Sequence, residues 1–319
     1  LSKFKGIHTV MTTAFLFPGH GSQFLGMLNE SGFEVRESFE EASEALGYDL
    51  WSLTQNGPED QLNQTEFTQP ALLTASIALW RLWVNEGGSA DFVAGHSLGE
   101  YSALVASGAL SLTDGVSIVQ RRGQLMQAAV PIGRGGMAAV MGLDNAAIDS
   151  ACQRASEWVS EGSVQPANLN APGQVVISGT LEALQKASEL CMEAGAKRVV
   201  PLNVSAPFHS ALMKPAAQSL SETLNAITLS APCIPIVQNV LAATESNVEA
   251  IKENLVTQLY SAVRWSESIE YLKRAGVDQV VECGPGKVLV GLNRRIDREI
   301  KLFNLDSSSS LLDLKALNE

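Results

Sequence analysis

Hydrophobic and polar residues form two kinds of segment along the first part of the chain. Short apolar runs at 13–17 and 91–94 are typical of buried strands. Longer stretches, in which apolar residues return every three or four positions, are typical of helices. These predict helices over 33–46, 70–84, 98–107 and 111–129. Because strands and helices alternate, the pattern predicts an α/β architecture with a mainly parallel sheet.

The pattern changes after residue 134. Strands at 136–143, 164–171, 174–179 and 197–202 enclose helices at 145–161 and 181–194, which is the βαββαβ order of a ferredoxin-like unit. We therefore expect a small subdomain over 135–203, inserted in a large domain made of 11–134 and 204–306. Strands at 234–240 and 277–284 and a helix at 287–296 continue the large domain. Residues 1–10 are expected to be an extension outside the fold and 307–319 a C-terminal tail.

Composition narrows the class of protein. The chain has 319 residues, 45% hydrophobic and 18% charged, as is usual for a soluble globular protein. A net charge of −12 argues against non-specific nucleic-acid binding. The four cysteines are far apart and contain no CxxC pair, which indicates reduced thiols rather than a zinc site or a disulfide framework. With no secretory signal or membrane span in the sequence, we expect a cytoplasmic protein.

The segment Gly95-His96-Ser97-Leu98-Gly99 matches the pattern G-x-S-x-G between a predicted strand and a predicted helix. In that context the pattern predicts a nucleophile elbow, as in α/β-hydrolase-like folds. The turn presents the serine hydroxyl at a helix N-terminus, where free N–H groups favour negative charge. The alternative is a chance glycine turn.

An activated serine needs a base, and the chain has only four histidines. His8 lies in the expected extension, and His96 adjoins Ser97, where neighbouring side chains point apart. His20 and His209 remain. His20 lies between two glycines after the first strand and is open to interpretation as a base, a metal ligand or a bystander. His209 follows the last strand of the insert, and we favour it as the base over a purely structural histidine.

Arg122 is predicted to project from the apolar face of its helix. Its neighbours three and four positions away are Ile118, Val119, Leu125 and Met126. An inward guanidinium requires an anionic partner, because an unpaired buried charge is costly. The residues leave open whether this partner is an Asp or Glu of the protein or a substrate carboxylate, which a guanidinium binds through two hydrogen bonds. A side chain that extends its charged end to solvent is a further alternative.

Seven motifs occur together and in order: FPGHGSQ, GHSLGEYSALVASGAL, RRGQLMQ, NLNAPGQVVISG, APFHS, QLYSAVRW and ECGPGKVL. With these motifs the chain resembles the malonyl-CoA:acyl-carrier-protein transacylases of type II fatty acid synthesis, over residues 12 to 300. The resemblance implies an acylated nucleophile at Ser97, a base at His209 and a malonyl-carboxylate site at Arg122. It also implies that the backbone carbonyl of Gln258 orients the base.

The same resemblance implies that the backbone N–H groups of His20 and Leu98 form an oxyanion hole. The family usually has Gln where this chain has His20, so the His20 side chain is expected to be a bystander on a functional backbone. A second departure is Ala262, where the family often has Pro.

The implied reaction transfers a malonyl group from malonyl-CoA to the pantetheine thiol of acyl carrier protein through a malonyl-serine, with no metal or redox cofactor. An acidic carrier protein is expected to dock near Lys287, Arg294 and Arg295, although these residues are also compatible with an ordinary solvated helix face. We expect a monomer. The alternative function is an α/β-type serine esterase or thioesterase, for which the sequence offers no obvious acidic third residue and no use for Arg122.

Overall fold

The computed structural model describes residues 11–204 and 206–316. Ten strands form two sheets within these residues. The strands are β1 (Thr13–Phe17), β2 (Phe92–Gly95), β3 (Gly135–Met141), β4 (Val164–Ala171), β5 (Gln174–Thr180), β6 (Arg198–Pro201), β7 (Ile236–Gln238), β8 (Ala243–Glu245), β9 (Gln279–Cys283) and β10 (Lys301–Leu305).

Helices pack on both sheets. They are α1 (Phe33–Leu46), α2 (Leu50–Asn56), α3 (Glu59–Leu62), α4 (Thr65–Asn85), α5 (Gly99–Ala106), α6 (Leu112–Ala128), α7 (Asn145–Trp158), α8 (Leu181–Glu193), α9 (Lys214–Asn225), α10 (Val248–Gln258), α11 (Trp265–Arg274), α12 (Val288–Ile296) and α13 (Ser308–Ala316).

The larger sheet has the order β10-β9-β1-β2-β7-β8 and is parallel except for β8, which pairs antiparallel with β7. Its central strand β1 is apolar and buried from Ala14 to Phe17, because both faces of the sheet are covered there. Phe15 and Phe17 pack against Trp80 of α4, whereas Ala14 and Leu16 belong to the core on the opposite face. The fold therefore has the α/β architecture with a mainly parallel sheet that the alternating pattern predicts, and its helices cover both faces of the sheet.

The smaller sheet is antiparallel, with the order β4-β5-β3-β6. With α7 and α8 it forms the predicted ferredoxin-like βαββαβ unit. It has a core of its own, which includes Val140, Ile148, Val175 and Cys191. Its strand β4 is joined to the large subdomain by backbone hydrogen bonds between Leu169 N and Val263 O and between Val263 N and Ala167 O, each 2.9 Å long.

Some boundaries differ from the predictions. Helix α4 begins at Thr65 rather than residue 70, because Pro70 lies only one turn and a half from the helix start and removes a single backbone donor there. Helix α12 begins at Val288, and Lys287 is its N-cap residue. The expected C-terminal tail contains α13, whose Leu311 is buried in the main core. The expected extension, 1–10, lies outside the described residues.

Candidate active site

The G-x-S-x-G segment forms a tight turn between β2 and α5. Ser97 has a φ of 53°, in the left-handed region that non-glycine residues seldom adopt. A Cβ atom at Gly99 would overlap the carbonyl oxygen of Phe17, and one at Gly95 would overlap the backbone of Gly99. The two glycines are therefore required because strand β1 and helix α5 approach the turn too closely for any side chain.

The Ser97 hydroxyl lies against His209. The distance from Ser97 Oγ to His209 Nε2 is 2.7 Å, and that from His209 Nδ1 to the backbone oxygen of Gln258 is also 2.7 Å. Because a carbonyl oxygen only accepts, Nδ1 carries the proton and donates to Gln258. Nε2 is then the acceptor for the Ser97 hydroxyl, which is the arrangement that a general base requires.

His209 is held as a neutral imidazole. Its side chain is buried, and its φ is 57°. Burial and, second, the positive charge of Arg122 lower the pKa of His209 to about 3. At neutral pH the ring therefore has a free lone pair on Nε2.

Arg122 is completely buried beside Ser97. Its guanidinium donates to Gln69 Oε1 at 2.6 Å, to Gln258 Oε1 at 2.8 Å and to Ser97 Oγ at 3.2 Å. The guanidinium carbon also lies 5.4 Å from the ring centroid of Tyr101. Among the described residues no carboxylate lies within ion-pair distance of Arg122, and its Nε has no hydrogen-bond partner. This cation is thus held by neutral groups.

A polar network beneath the turn was not anticipated from the sequence. Asn239 accepts from the backbone N–H of Ser97 at 2.8 Å and donates to the Gly95 carbonyl at 2.6 Å. Glu100 accepts from the side-chain amide of Gln258 at 2.7 Å and from the backbone N–H of Asn239 at 3.2 Å. Burial raises the pKa of Glu100 to about 7. Glu100 lies within the GHSLGEY motif, but its partners come from distant segments that no local pattern connects to it.

The backbone N–H groups of His20 and Leu98 have no acceptor among the described residues. Leu98 follows Ser97 at the start of α5, and His20 follows Gly19, where an added Cβ atom would lie 2.5 Å from the carbonyl oxygen of His96. The turn after β1 therefore lies against the elbow. Two unpaired donors at these positions are what an oxyanion hole requires.

The imidazole rings of His20 and His96 form hydrogen bonds with neighbouring side chains. His20 Nε2 lies 2.8 Å from Thr65 Oγ1, and His96 Nε2 lies 2.8 Å from Asn170 Oδ1 of the small subdomain. Burial and then Arg122 lower the pKa of His20 to about 3, and burial also lowers that of His96. Neither ring is within hydrogen-bond distance of Ser97 Oγ, unlike that of His209.

The three basic residues singled out in the sequence do not form one cluster. Arg294 and Arg295 are exposed at the C-terminal end of α12, where with Arg298 and Pro172 they line an open groove of about 700 Å³. Lys287 lies at the other end of the helix, and its Nζ is 3.9 Å from Asp306 Oδ2. Within the described residues we find no helix suited to crossing a membrane and no group of three metal-ligating side chains.

Comparison with known proteins identifies the family. Residues 14–299 match the acyl transferase domain family. The malonyl CoA-acyl carrier protein transacylase of Salmonella typhimurium is 54% identical over 302 residues, which cover 93% of this chain and 97% of that protein. The protein of that name from Bacillus subtilis is 48% identical over 311 residues, 96% of this chain and 97% of its own length.

Solved structures agree with this comparison. A malonyl CoA-acyl carrier protein transacylase from Coxiella burnetii superimposes with a TM-score of 0.94 at 44% identity, covering 97% of this chain and 98% of that one. A malonyl-transacylase in complex with a type II PKS acyl-carrier protein gives 0.92 at 48% identity, covering 94% and 98%. The chain therefore belongs to the acyl transferase domain family, and within it to the malonyl CoA-acyl carrier protein transacylases.

Proposed function

We propose that this acyltransferase moves a malonyl group from malonyl-CoA to the pantetheine thiol of acyl carrier protein through a malonyl-Ser97 intermediate. The observation that carries the proposal is the buried Ser97–His209 pair beside Arg122, a cation with no carboxylate partner among the described residues. His209 takes the proton of Ser97 as the hydroxyl attacks the thioester carbonyl. CoA leaves as a thiol after accepting that proton from His209.

The tetrahedral intermediate carries a negative oxygen, which the backbone N–H groups of His20 and Leu98 stabilise. The carbonyl of Gln258 holds the Nδ1–H of His209 and so keeps Nε2 directed at the serine. In the second half-reaction the carrier thiol attacks malonyl-Ser97 and gives its proton to His209. His209 returns that proton to Ser97 Oγ as the serine leaves, which releases the malonyl thioester of the carrier. None of these steps requires a metal or a redox cofactor.

Arg122 gives this site its preference for a malonyl group. A carboxylate at the end of the acyl chain would pair with the guanidinium through two hydrogen bonds. That pairing would also offset the charge that depresses the pKa of His209, making the imidazole a stronger base when malonyl is bound. A serine esterase has no need of this cation, so the hydrolase alternative leaves Arg122 unexplained.

The role of His209 is tested by acylation of Ser97. In His209→Ala, single-turnover formation of malonyl-Ser97 should fall by about 10²- to 10⁴-fold, the usual contribution of a general base. Intact-mass measurement over time follows the adduct, and Ser97→Ala provides the blank. Rapid adduct formation in His209→Ala would contradict the assignment of the base.

We further propose that acyl carrier protein docks at the arginines lining the groove at the end of α12, Arg294, Arg295 and Arg298. The net charge of the chain is −12, so an acidic partner needs a local basic surface such as this one. Lys287 lies outside this groove and is left out of the docking surface. We expect the chain to act as a monomer. Its four free cysteines fit a reducing compartment such as the cytoplasm.

Docking is tested by reversing charge. Arg294→Glu should raise the KM for carrier protein and reduce the salt dependence of transfer. Acylation by a malonyl thioester of N-acetylcysteamine, which lacks the phosphates of CoA, should stay at the wild-type rate. Arg154→Glu, at an exposed arginine of α7, is the matched control. Equal effects of the two substitutions would count against this docking surface.

A further inference from the structure

Gln165 of the small subdomain contacts both large-subdomain loops that hold the catalytic base. It lies in β4, and its side-chain amide N donates to the backbone oxygen of His209 at 3.3 Å and to that of Tyr260 at 3.2 Å. Its side-chain oxygen accepts from the backbone N–H of Ala211 at 3.0 Å. The side-chain amide of Gln165 therefore forms two hydrogen bonds as donor and one as acceptor, all with main-chain groups of these two loops.

The two loops meet at the base itself. The first carries His209, and the second begins directly after Gln258, whose carbonyl accepts from His209 Nδ1 at 2.7 Å. His209 has a φ of 57°, a left-handed conformation that a non-glycine residue keeps only where its surroundings enforce it. Gln165 forms hydrogen bonds with the backbone of His209 and, two residues later, of Ala211. These bonds restrain the segment that sets the position of the imidazole.

Strand β4 is a firm support for this contact. It pairs with β5 along most of its length, and its Ala167 and Leu169 exchange backbone hydrogen bonds with Val263, each 2.9 Å long. Its Asn170 also contacts His96, the residue before the nucleophile. Strand β4 therefore contacts the loop that carries His209, the loop after α10 and the elbow.

We propose that Gln165 is a positioning residue that keeps the His209 imidazole in line with Ser97 Oγ, so that the small subdomain forms part of the scaffold of the base. The inference rests on the proposed role of His209. The hydrogen bonds of Gln165 among the described residues go to His209, Tyr260 and Ala211, and none goes to Ser97 or Arg122.

The contacts specify which substitution is informative. Gln165→Glu has nearly the same shape and keeps an acceptor for Ala211, but it places an oxygen opposite the carbonyls of His209 and Tyr260. Gln165→Ala removes all three hydrogen bonds without adding a charge. Gln185→Glu, at an exposed glutamine of α8, is the matched control for the change of charge.

The experiment is single-turnover acylation of Ser97 with malonyl and acetyl thioesters of N-acetylcysteamine, in the full chain. Both Gln165 variants should lose about 10- to 100-fold in acylation rate, the effect of a small misplacement of a reacting group. The malonyl-to-acetyl rate ratio should stay at the wild-type value because Arg122 is untouched. Wild-type rates in both variants, or a changed ratio, would overturn the proposal.

A pH profile separates positioning from a loss of stability. Burial lowers the pKa of His209 most, and the charged and titratable groups around its ring, Arg122, His96 and His20, lower it further. A displaced ring gains water, so the acid limb of acetyl transfer should move to higher pH in the Gln165 variants. A lower melting temperature with an unmoved acid limb would show a merely structural role. If His209→Ala still acylated Ser97 rapidly, the proposed role of His209 itself would be wrong. If His209→Ala lost acylation while the Gln165 variants kept the wild-type rate, only the inference about Gln165 would be wrong.

Discussion

At the scale of single residues, the site depends on charges that are buried without direct counter-charges. Arg122 is held by Gln69 and Gln258, whose amide oxygens satisfy N–H groups without neutralising them. A malonyl carboxylate is therefore the first full negative charge that this guanidinium would meet at hydrogen-bond distance. Burial and, second, the same cation lower the pKa of His209 and keep its imidazole neutral.

Arg122→Ala should separate malonyl from acetyl substrates. Loss of one side of a buried charge pair costs about 2–5 kcal/mol, which is roughly a 30- to 5000-fold fall in malonyl acylation at 1.4 kcal/mol per decade. Acetyl acylation should stay level or rise, because removal of the cation makes His209 more basic. Single-turnover acylation with both thioesters measures this.

Arg122→Lys is the companion variant. It should remain impaired with malonyl, because an ammonium is a point charge and does not reproduce the planar fork of a guanidinium. If malonyl and acetyl rates fell together in Arg122→Ala, Arg122 would have a structural role and the assigned selectivity would be wrong.

At the scale of elements, the elbow depends on close approach of β1, β2 and α5. Gly99→Ala should lower the free energy of unfolding by about 1–3 kcal/mol, a usual cost of overpacking, because the new methyl group overlaps backbone atoms of Phe17. Urea unfolding measures this change.

Gly291 provides the control for the same substitution. It lies in α12, and a Cβ there would meet no heavy atom within 4 Å. Gly291→Ala should therefore stabilise by about 0.5–1 kcal/mol, the usual advantage of Ala over Gly in a helix. Equal effects at Gly99 and Gly291 would show that the elbow is not sterically limited.

At the scale of the whole molecule, buried ionisable groups make stability depend on pH in opposite directions. His20 and His209 have pKa values lowered to about 3, so below pH 6.5 the unfolded chain takes up protons that the folded chain does not, and stability falls. Burial raises the pKa of Glu100 and of Glu282 to about 7. These carboxyls keep protons that the unfolded chain loses above pH 4.5, so their contribution weakens as the pH rises to 7.

Glu100→Gln should remove one of these opposing contributions. Relative to wild type, the free energy of unfolding of the variant should rise as pH increases from 4.5 to 7, by up to about 1.4 kcal/mol per pH unit. Urea unfolding of both proteins at pH 5, 6 and 7 tests the slope. A difference that does not vary with pH would mean that Glu100 is ionised throughout this range.

The sequence by itself determined the alternation of strands and helices, the elbow and the candidate side chains. Apolar runs at β1 and β2 and glycines at 95 and 99 are local features, and local sterics decide what they form. The βαββαβ order of the insert could be predicted as well, because each of its strands and helices has its own local pattern. The start of α4 at Thr65 could not be predicted from the sequence, because a helix buried on nearly all sides has no polar face to mark its limits.

Only the tertiary structure decided which partners these side chains meet. Gln69, Asn239 and Gln165 complete the surroundings of Ser97, Arg122 and His209, yet they lie on segments far apart in the chain. Glu100 is close to Ser97 in sequence, but its partner Gln258 is not. The open question of an acidic partner for Arg122 was also decided there, since the guanidinium meets amide oxygens at hydrogen-bond distance. Hydrogen bonds act over about 3 Å, so a network of them is specified by the folded path of the backbone and leaves no periodic trace in the sequence.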